Sequence, residues 1–356
     1  MQTLRFAASP SFYNDLRQRV NAYFTETNVP QTGNWWLYSK AIILVLTCII
    51  SYTTVVFFTP ESTWVALSLC VILGIATAGI GFNVMHDGSH GSFSKSRSLN
   101  KVAACTLSIL GGSHFMWNLK HNTVHHTFTN VDGVDDDIDL RPFLRMCATQ
   151  KHHAMHRFQH IYFVILYGTT QFFWMFWLDF KKYFRGRIGN IPLTKDNMKV
   201  SDHIVFWLGK FLCYFLFIGL PILTVGLVPA LIGYGVFVAV TGFIISLVFQ
   251  LAHAVEHADF PLPNDVGQFE NEWAIHQVQS TANFATGNRI VTWFCGGLNF
   301  QIEHHLFPKI SHVHYPKISQ IVRETCREHN LTYIEFPHFT AAVQSHVRYL
   351  KGLGQA

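Results

Sequence analysis

The histidines of this chain fall into short groups with a repeated spacing. The groups read HDGSH at 86–90, HNTVHH at 121–126 and QIEHH at 301–305, and His253 and His257 stand four residues apart after an apolar block. Side chains four residues apart lie on one face of a helix, a spacing that suits chelation. Neutral imidazole is a common ligand of transition metals, and this many imidazoles suffice for two ions and far exceed one tetrahedral zinc site. The pattern predicts a metal site with the following ligand candidates: His86, His90, His121, His125, His126, His253, His257, His304 and His305.

Apolar helices must position these groups. Apolar residues make up 49% of the 356 residues and charged residues only 13%, and the apolar residues come in long blocks, which is typical of an integral membrane protein. Four blocks are long enough to cross a bilayer and pair into two hairpins with short tips, at about 41–59, 64–85, 208–227 and 230–252. The sequence predicts an all-α membrane protein with a cytosolic N-terminal segment at 1–40 and one domain at 41–356.

The basic residues predict the orientation. Neither hairpin tip carries Lys or Arg, and all 26 basic residues lie in the first 40 residues, the middle section or the C-terminal third, apart from Lys210. The positive-inside rule therefore puts both termini and every histidine group in the cytoplasm. A fifth apolar block at 161–178 would, if it crossed, place the segment after it, with the basic stretch at 181–187 and the last histidine group, on the side opposite the first two histidine groups. We therefore predict that 161–178 and the shorter run at 104–117 lie at the membrane interface.

Other residues are expected to stay outside the site. The seven cysteines are scattered without any Cys-x-x-Cys pair, which argues against a disulfide framework and a sulfur-ligated metal. The N-terminus lacks the apolar core of a signal peptide, so the sequence does not indicate export. The segment KHHAMHRFQH at 151–160 stands among Lys and Arg, and we interpret it as a surface that contacts lipid headgroups rather than a second metal site. The acids between Asp132 and Asp139 do not share a helix face and are interpreted as a polar loop.

The order HDGSH, HNTVHH, QIEHH between two membrane hairpins resembles the membrane fatty acid desaturase family. The resemblance runs from about Gly81 to Ile318 and includes GGLNFQIEHHLFPKISHVHYPKI around the third group. It implies four spans and a cytosolic helical cap that holds two non-haem irons, with O2 as co-substrate. Carried over position by position, the iron ligands that it implies are His86, His90, His121, His125, His126, His253, His304 and His305, with His257 as a substitute for His253.

The third group departs from much of that family. It opens with Gln301 where many relatives have His, a variation typical of front-end desaturases, which insert a double bond between an existing one and the carboxyl end. Gln301 either binds the metal, holds a water or only packs beside the site. Many members of that branch carry a fused cytochrome b5 domain with a His-Pro-Gly-Gly motif, which this sequence does not contain. The resemblance therefore implies an external electron donor, a ferredoxin or a cytochrome b5-like protein, and a lipid-linked or CoA-linked acyl substrate.

Several neighbours of the site have two interpretations. Asp87 and Glu303 either accept hydrogen bonds from ligand imidazoles or are solvated carboxylates at helix ends. Trp117 and Trp293 either line an apolar tunnel for the acyl chain or anchor the protein at the membrane interface. No catalytic residue is predicted beyond the metal ligands. The net charge of +5 and the cluster from Lys181 to Arg187 indicate a cytoplasmic face that attracts anionic membrane lipid, acyl-CoA phosphates or an acidic electron donor.

Two other functions share some of these features. A di-iron hydroxylase or ketolase acting on alkanes, sterols or carotenoids needs the same histidines. A metal transporter needs ionisable residues at mid-membrane depth, and the predicted spans contain none away from their ends. We therefore expect a multi-pass acyl desaturase, in the plasma or inner membrane of a bacterium or the endoplasmic reticulum of a eukaryote. Nucleic acid is not an expected partner, because the basic residues lack a binding motif.

Overall fold

The computed structural model describes residues 4–8, 11–189, 191–194 and 198–356. Helices dominate, and the β structure among these residues is two short two-stranded pairs, β1 with β2 and β3 with β4, and an isolated bridge between Arg5 and Gln268. The helices and strands are, in chain order, α1 (Ser11–Thr27), α2 (Trp35–Phe58), α3 (Thr63–His90), α4 (Arg97–Ile109), α5 (His114–Asn118), α6 (Ala154–Arg185), β1 (Arg187–Ile188), β2 (Ile191–Pro192), α7 (Val200–Val225), α8 (Leu227–His253), α9 (Trp273–Gln279), β3 (Asn283–Phe284), α10 (Arg289–Cys295), α11 (Gln301–Leu306), α12 (Tyr315–Glu328), β4 (Glu335–Phe336) and α13 (Phe339–Gln355).

The chain divides into two compact units. Unit 1 consists of Met1–Gly33, Lys120–Phe163 and Val248–Ala356, and unit 2 consists of Asn34–Leu119 and Val164–Leu247. Within the predicted N-terminal segment, α1 packs in the core of unit 1. The division into a segment at 1–40 and one domain at 41–356 stays a prediction.

Unit 2 is built from apolar helices. Among the described residues, five helices are long and apolar enough to cross a membrane: α2, α3, α6, α7 and α8. The four predicted spans correspond to α2, α3, α7 and α8. The block predicted at the interface lies within α6, a 32-residue helix that meets the same criteria of length and composition. The count of four spans therefore stays a prediction.

Small residues allow these helices to pack closely. A Cβ atom on Gly74 of α3 would lie 2.9 Å from Cβ of Val240 in α8, and one on Gly79 would lie 2.7 Å from a methyl group of Leu44 in α2. Large apolar side chains cover the outside of the same helices, such as Trp64, which is 80% exposed. Since an apolar exterior is stable only against lipid, unit 2 has the surface of a membrane-embedded body.

Unit 1 has a conventional buried core. The apolar stripe of α1, at Phe12, Leu16 and Val20, packs against residues of α9, α11 and α12. The 0% exposure of these three side chains shows that the N-terminal helix is part of the unit rather than a loose extension. The core therefore holds α11, which carries the third histidine group, from the side opposite its imidazoles.

Candidate metal centre

Five histidines of the second and third groups meet inside unit 1. His121, His125 and His126 follow α5, and His304 and His305 lie on α11. All five side chains are buried. The ring centroids of His126 and His305 are 4.3 Å apart, and those of His126 and His304 are 4.6 Å apart. Two sequence groups separated by more than 170 residues therefore form one cluster of imidazoles, as the spacing predicted.

The local backbone explains how the second group faces inward. The segment Leu119–His125 is a π-helical turn, in which residues five apart come together. The amide of His126 donates to the carbonyl of His121, and the Nε2 atoms of the same two residues are 3.2 Å apart. Nitrogen atoms that bind one metal at about 2.0–2.1 Å lie at a comparable separation. The rings of His121 and His125, four residues apart, also stack at 5.2 Å, so the five-residue contact adds to the predicted four-residue step.

His253 joins the cluster from the end of α8. His125, His253 and His305 each offer a nitrogen, and these atoms lie within 4.8 Å of one another. The helix ends at His253, and four residues later His257 is exposed with a left-handed backbone at φ 74°. The structure thus brings His253 to the other histidines and leaves His257 outside the cluster.

Three polar side chains hold imidazoles by their Nδ1 atoms. His125 Nδ1 donates to Asp135 Oδ2 at 2.9 Å, and His305 Nδ1 donates to Gln277 Oε1 at 2.7 Å. His304 Nδ1 lies 3.2 Å from the hydroxyl of Tyr315. A hydrogen bond at Nδ1 selects the tautomer whose Nε2 is available to a metal. The Nε2 atom of His125 is buried and accepts or donates no hydrogen bond among the described residues.

A carboxylate pair controls the charge around His125. Burial lowers the pKa of His125, but the carboxylates of Asp135 and Asp137 outweigh burial and raise its pKa overall. Lys120 forms an ion pair with Asp137, which offsets part of that negative charge. A site that favours positive charge on the imidazole also favours a metal cation beside it, because the cation replaces the proton.

The acids near Asp135 were misinterpreted from the sequence. They do form a loop, but Asp135 is 2% exposed and contacts a ligand candidate directly. A carboxylate oxygen of Asp137 and one ring nitrogen each of His121 and His125 lie within 4.8 Å of one another. The sequence pattern hardly indicates this contact, because a turn brings Asp135 to His125, and the two residues do not have a helical spacing. Gln277 and Tyr315 were missed for the same reason, as neither lies in a histidine group.

The first histidine group lies in unit 2, at the end of α3. The rings of His86 and His90 are 4.7 Å apart, as expected for a four-residue step. A π-helical turn at Gly81–Met85 precedes them and rotates the last turn of the helix. Trp117 packs edge-on against both rings at 5.8 and 6.2 Å. Its contact with the histidines favours the site-lining interpretation over the interface anchor.

Glycine is required within this group. A Cβ atom on Gly88 would lie 2.7 Å from Cβ of Ala103 and 2.7 Å from the backbone nitrogen of Ala104, both in α4. The close approach of α4 therefore needs a residue without a side chain at the centre of HDGSH. This contact holds the helix end that presents His86 and His90.

Neither carboxylate beside a ligand is solvated. Asp87 is 3% exposed and Glu303 is 0% exposed, so the interpretation as solvated helix-end carboxylates is wrong. Asn283 and Tyr333 donate to the carboxylate of Glu303 at 2.8 and 2.9 Å. Burial nevertheless raises the pKa of Glu303 to about 7. Glu303 therefore belongs to a buried polar network behind α11.

Gln301 lies within the cluster. Its side chain is 2% exposed, and the amide N–H donates to Nε2 of His253 at 2.9 Å. This contact places a polar amide beside one imidazole of the group. The choice among binding the metal, holding a water and packing beside the site stays a prediction for Gln301.

The segment at 151–160 is a structural element. His156 is 1% exposed, its Nε2 donates to the carbonyl of Pro142 at 2.8 Å, and its Nδ1 accepts from the amide of His153. With both nitrogens used, His156 has no position for a metal. The interpretation as a headgroup surface is wrong for His156, because its imidazole holds the start of α6 from inside, whereas Lys151 and Arg157 remain exposed.

Comparison with known proteins identifies the family of this protein. The sequence model of the family described as fatty acid desaturase matches residues 62–337. The chain belongs to the fatty acid desaturase family. This desaturase is therefore an oxidoreductase that acts on fatty acyl chains, with a buried histidine cluster compatible with metal binding.

Relatives of the desaturase match it along its length. It is 37% identical to the sn-1 linoleoyl-lipid 6-desaturase of Synechocystis sp., with 100% of this chain and 99% of the relative covered. It is 34% identical to the protein of the same name from Arthrospira platensis, with 97% and 93% covered. It is 35% identical to the acyl-lipid (8-3)-desaturase of Physcomitrium patens, with 98% of this chain and 72% of the relative covered.

Proposed function

We propose that the protein is a front-end acyl-lipid desaturase, which inserts a double bond between an existing double bond and the carboxyl end of an acyl chain. The relatives named above carry names of this type, including a 6-desaturase that acts on an sn-1 linoleoyl lipid. Gln301 at the start of the third histidine group supports the same branch. The proposed substrate is an acyl chain esterified in a membrane lipid.

The observation that carries this proposal is the histidine cluster of unit 1. Asp135, Tyr315 and Gln277 hold Nδ1 of the buried His125, His304 and His305, which directs Nε2 of these three towards a metal. This donor set fits a pair of iron ions, since it is rich in imidazole, free of thiolate and closed to water. The ligands proposed in unit 1 are His121, His125, His126, His253, His304 and His305, and His86 and His90 of unit 2 stay predicted ligands. Bound iron would supply the oxidising power, with O2, to remove two hydrogens from an unactivated methylene pair.

The chain's own residues prepare the site for that chemistry. Asp135, Gln277 and Tyr315 fix ring orientation, so that the ligands need little reorganisation when metal binds. Burial of the cluster excludes water, which protects a strongly oxidising site from side reactions. The absence of cysteine from the three groups removes the side chain that such a site would oxidise first.

We also propose the membrane arrangement that the charge pattern predicts. In this arrangement α2, α3, α7 and α8 cross the bilayer, α6 lies at the interface, and the histidine groups are cytoplasmic. Electrons come from a separate carrier protein.

Product analysis tests the proposal. The protein is expressed in a host that is supplied with defined unsaturated fatty acids, and the position of each new double bond is mapped by mass spectrometry of derivatised lipids. We expect a new double bond on the carboxyl side of an existing one. An added oxygen without a new double bond would indicate a hydroxylase, and a double bond on the methyl side would contradict the front-end assignment.

Metal analysis of the purified protein should give iron, and zinc in its place would contradict the proposed cofactor.

A further inference from the structure

Two antiparallel helices cover the histidine cluster from the outside of unit 1. Phe12 of α1 packs edge-on against His329, just after α12, and Phe24 at the other end of α1 packs against His314, just before α12. Arg19 of α1 also forms an ion pair with Glu328 of α12. The buried sides of both helices share one core with α11, which carries His304 and His305. The outer face of α1 and α12 is therefore the protein surface behind two ligand candidates.

Short paths of hydrogen bonds and ring contacts join α1 and α12 to the histidines. Tyr315, the first residue of α12, has its hydroxyl 3.2 Å from His304 Nδ1. On the α1 side, the ring of Tyr13 is 5.3 Å from that of Trp273, whose indole N–H donates to the carbonyl of His126 at 2.9 Å. Electron transfer between proteins is fastest through a few covalent and hydrogen bonds, so these contacts offer a route from the surface to the cluster.

The same face carries three cations without an ion-pair partner among the described residues, against one such carboxylate, Glu26 of α1. Arg17 on α1, Lys309 after α11 and Lys317 on α12 are exposed, and none forms an ion pair with another described residue. The remaining arginines of the two helices are paired with carboxylates, Arg19 with Asp15 and Glu328, Arg323 with Glu335 and Arg327 with Glu324. A patch of uncompensated cations attracts an acidic partner and raises its association rate.

The composition of the face distinguishes a protein partner from the membrane. Among the described residues of α1 and α12, no large apolar side chain is exposed, whereas the candidate membrane helices expose many, such as Trp64 of α3 and Phe58 of α2. A surface that contacts a bilayer requires apolar side chains to enter it. A polar face with uncompensated cations suits a water-soluble acidic protein.

We propose that the outer face of α1 and α12, with Arg17, Lys309 and Lys317, is the docking surface for a small acidic one-electron carrier protein with an iron–sulfur or haem centre. This inference rests on the proposed function. Each encounter oxidises one carrier molecule by one electron, so two encounters serve one double bond. The two electrons, two protons from solvent and the two hydrogens removed from the acyl chain reduce one O2 to two waters.

The test uses the full-length desaturase in nanodiscs, with a plant-type [2Fe–2S] ferredoxin as the acidic probe. The variant Arg17→Glu/Lys317→Glu is compared with Lys151→Glu/Lys351→Glu, which changes the same amount of charge at exposed positions of the same unit. We expect the first variant to raise the KM for ferredoxin and weaken ferredoxin binding about tenfold or more at low salt, with the difference shrinking at high salt. Desaturation driven by dithionite and a small mediator should stay at the wild-type rate in both variants.

The possible results separate docking from function. An equal rise of the ferredoxin KM in both double variants, or no rise in either, would overturn the docking surface. A rise in Lys181→Glu/Arg185→Glu with none in Arg17→Glu/Lys317→Glu would also overturn it, in favour of the basic cluster of α6. Failure of the wild-type protein to desaturate lipid even with the mediator would instead refute the proposed function, and direct ferredoxin binding would still report on the surface.

Discussion

At the residue scale, the second ring nitrogen of each imidazole matters as much as the one that faces the metal. His125, His304 and His305 use three different partners at Nδ1, a carboxylate, a phenol and an amide. Only the carboxylate of Asp135 carries charge, so it makes the imidazole of His125 the most electron-rich of the three. Asp135 is therefore the positioning residue whose loss should be most visible in metal binding.

Asp135→Asn should weaken metal binding while the protein still folds. The amide keeps the size of the side chain but removes the negative charge that supports His125, and loss of such a partner typically costs 10–100-fold in metal affinity. The measurement is iron per chain after dialysis against a graded series of chelator concentrations. Asp139→Asn is the control, because Asp139 is 41% exposed and pairs with Arg141. Equal iron retention in all three proteins would show that Asp135 has no positioning role.

His276 should make folding sensitive to acid. Burial lowers its pKa to about 4, although its Nε2–H donates to the carbonyl of Thr129. Since the unfolded chain takes up the proton near 6.5, stability is fully present above that pH and falls as the pH drops towards 4, by roughly 3 kcal/mol for this one group. In His276→Gln the amide can still donate but does not titrate. Thermal unfolding of the metal-free protein between pH 7 and 4 should show a shallower decline in the variant, and parallel curves would refute the assignment.

At the element scale, a buried ion pair joins two of the long apolar helices. Lys210 of α7 lies 3.1 Å from Asp179 of α6, and the two side chains are 4% and 3% exposed. Asp179 also accepts from the amide of Ser113 and the indole of Trp174. The sequence placed Lys210 at the end of a span, but α7 begins at Val200, so the lysine lies well inside the helix. Its partner explains why it is tolerated there.

Lys210→Met should destabilise unit 2 strongly. The substitution leaves the carboxylate of Asp179 buried without its cation, which typically costs about 3–5 kcal/mol. Thermal unfolding in detergent, followed by tryptophan fluorescence, should show a clear drop in Tm. Lys181→Met, at an exposed position of α6, should leave the Tm near that of the wild type. A Tm for Lys210→Met that matches this control would mean that the ion pair contributes little.

At the scale of the whole molecule, the number of crossings depends on α6, one of the five candidate membrane helices. Length and composition admit α6, while the charge pattern places it at the interface. Its exposed basic residues, Lys181 and Arg185, lie at its C-terminal end. The two arrangements predict opposite sides of the membrane for every residue outside the bilayer after α6.

Labelling of single cysteines distinguishes the two membrane arrangements of α6. In a cysteine-free background, Glu61→Cys at the first hairpin tip, Lys181→Cys after α6 and Lys351→Cys in α13 are labelled with a membrane-impermeant maleimide. We expect Lys181→Cys and Lys351→Cys to react from the cytoplasmic side, and Glu61→Cys only from the opposite side. Labelling of Lys181→Cys from the same side as Glu61→Cys would show that α6 crosses the membrane.

The sequence by itself determined the features that depend on neighbouring residues. The apolar blocks predicted the long helices, because hydropathy and helical period are local properties. The four-residue step of His86 and His90 predicted their pairing, and the three motifs pointed to the family that the comparisons show. These inferences needed no knowledge of how distant segments meet.

Only the tertiary structure decided the features that join distant segments. The choice of His253 over His257 depends on where α8 ends, and the support of His125, His305 and His304 comes from residues outside every motif. His156 has the spacing of a metal ligand, yet its Nε2 donates a hydrogen bond to the carbonyl of Pro142, which lies outside its helix. The physical reason is that a hydrogen bond constrains two atoms in space, and spacing along the chain records that constraint only when both atoms share one helix.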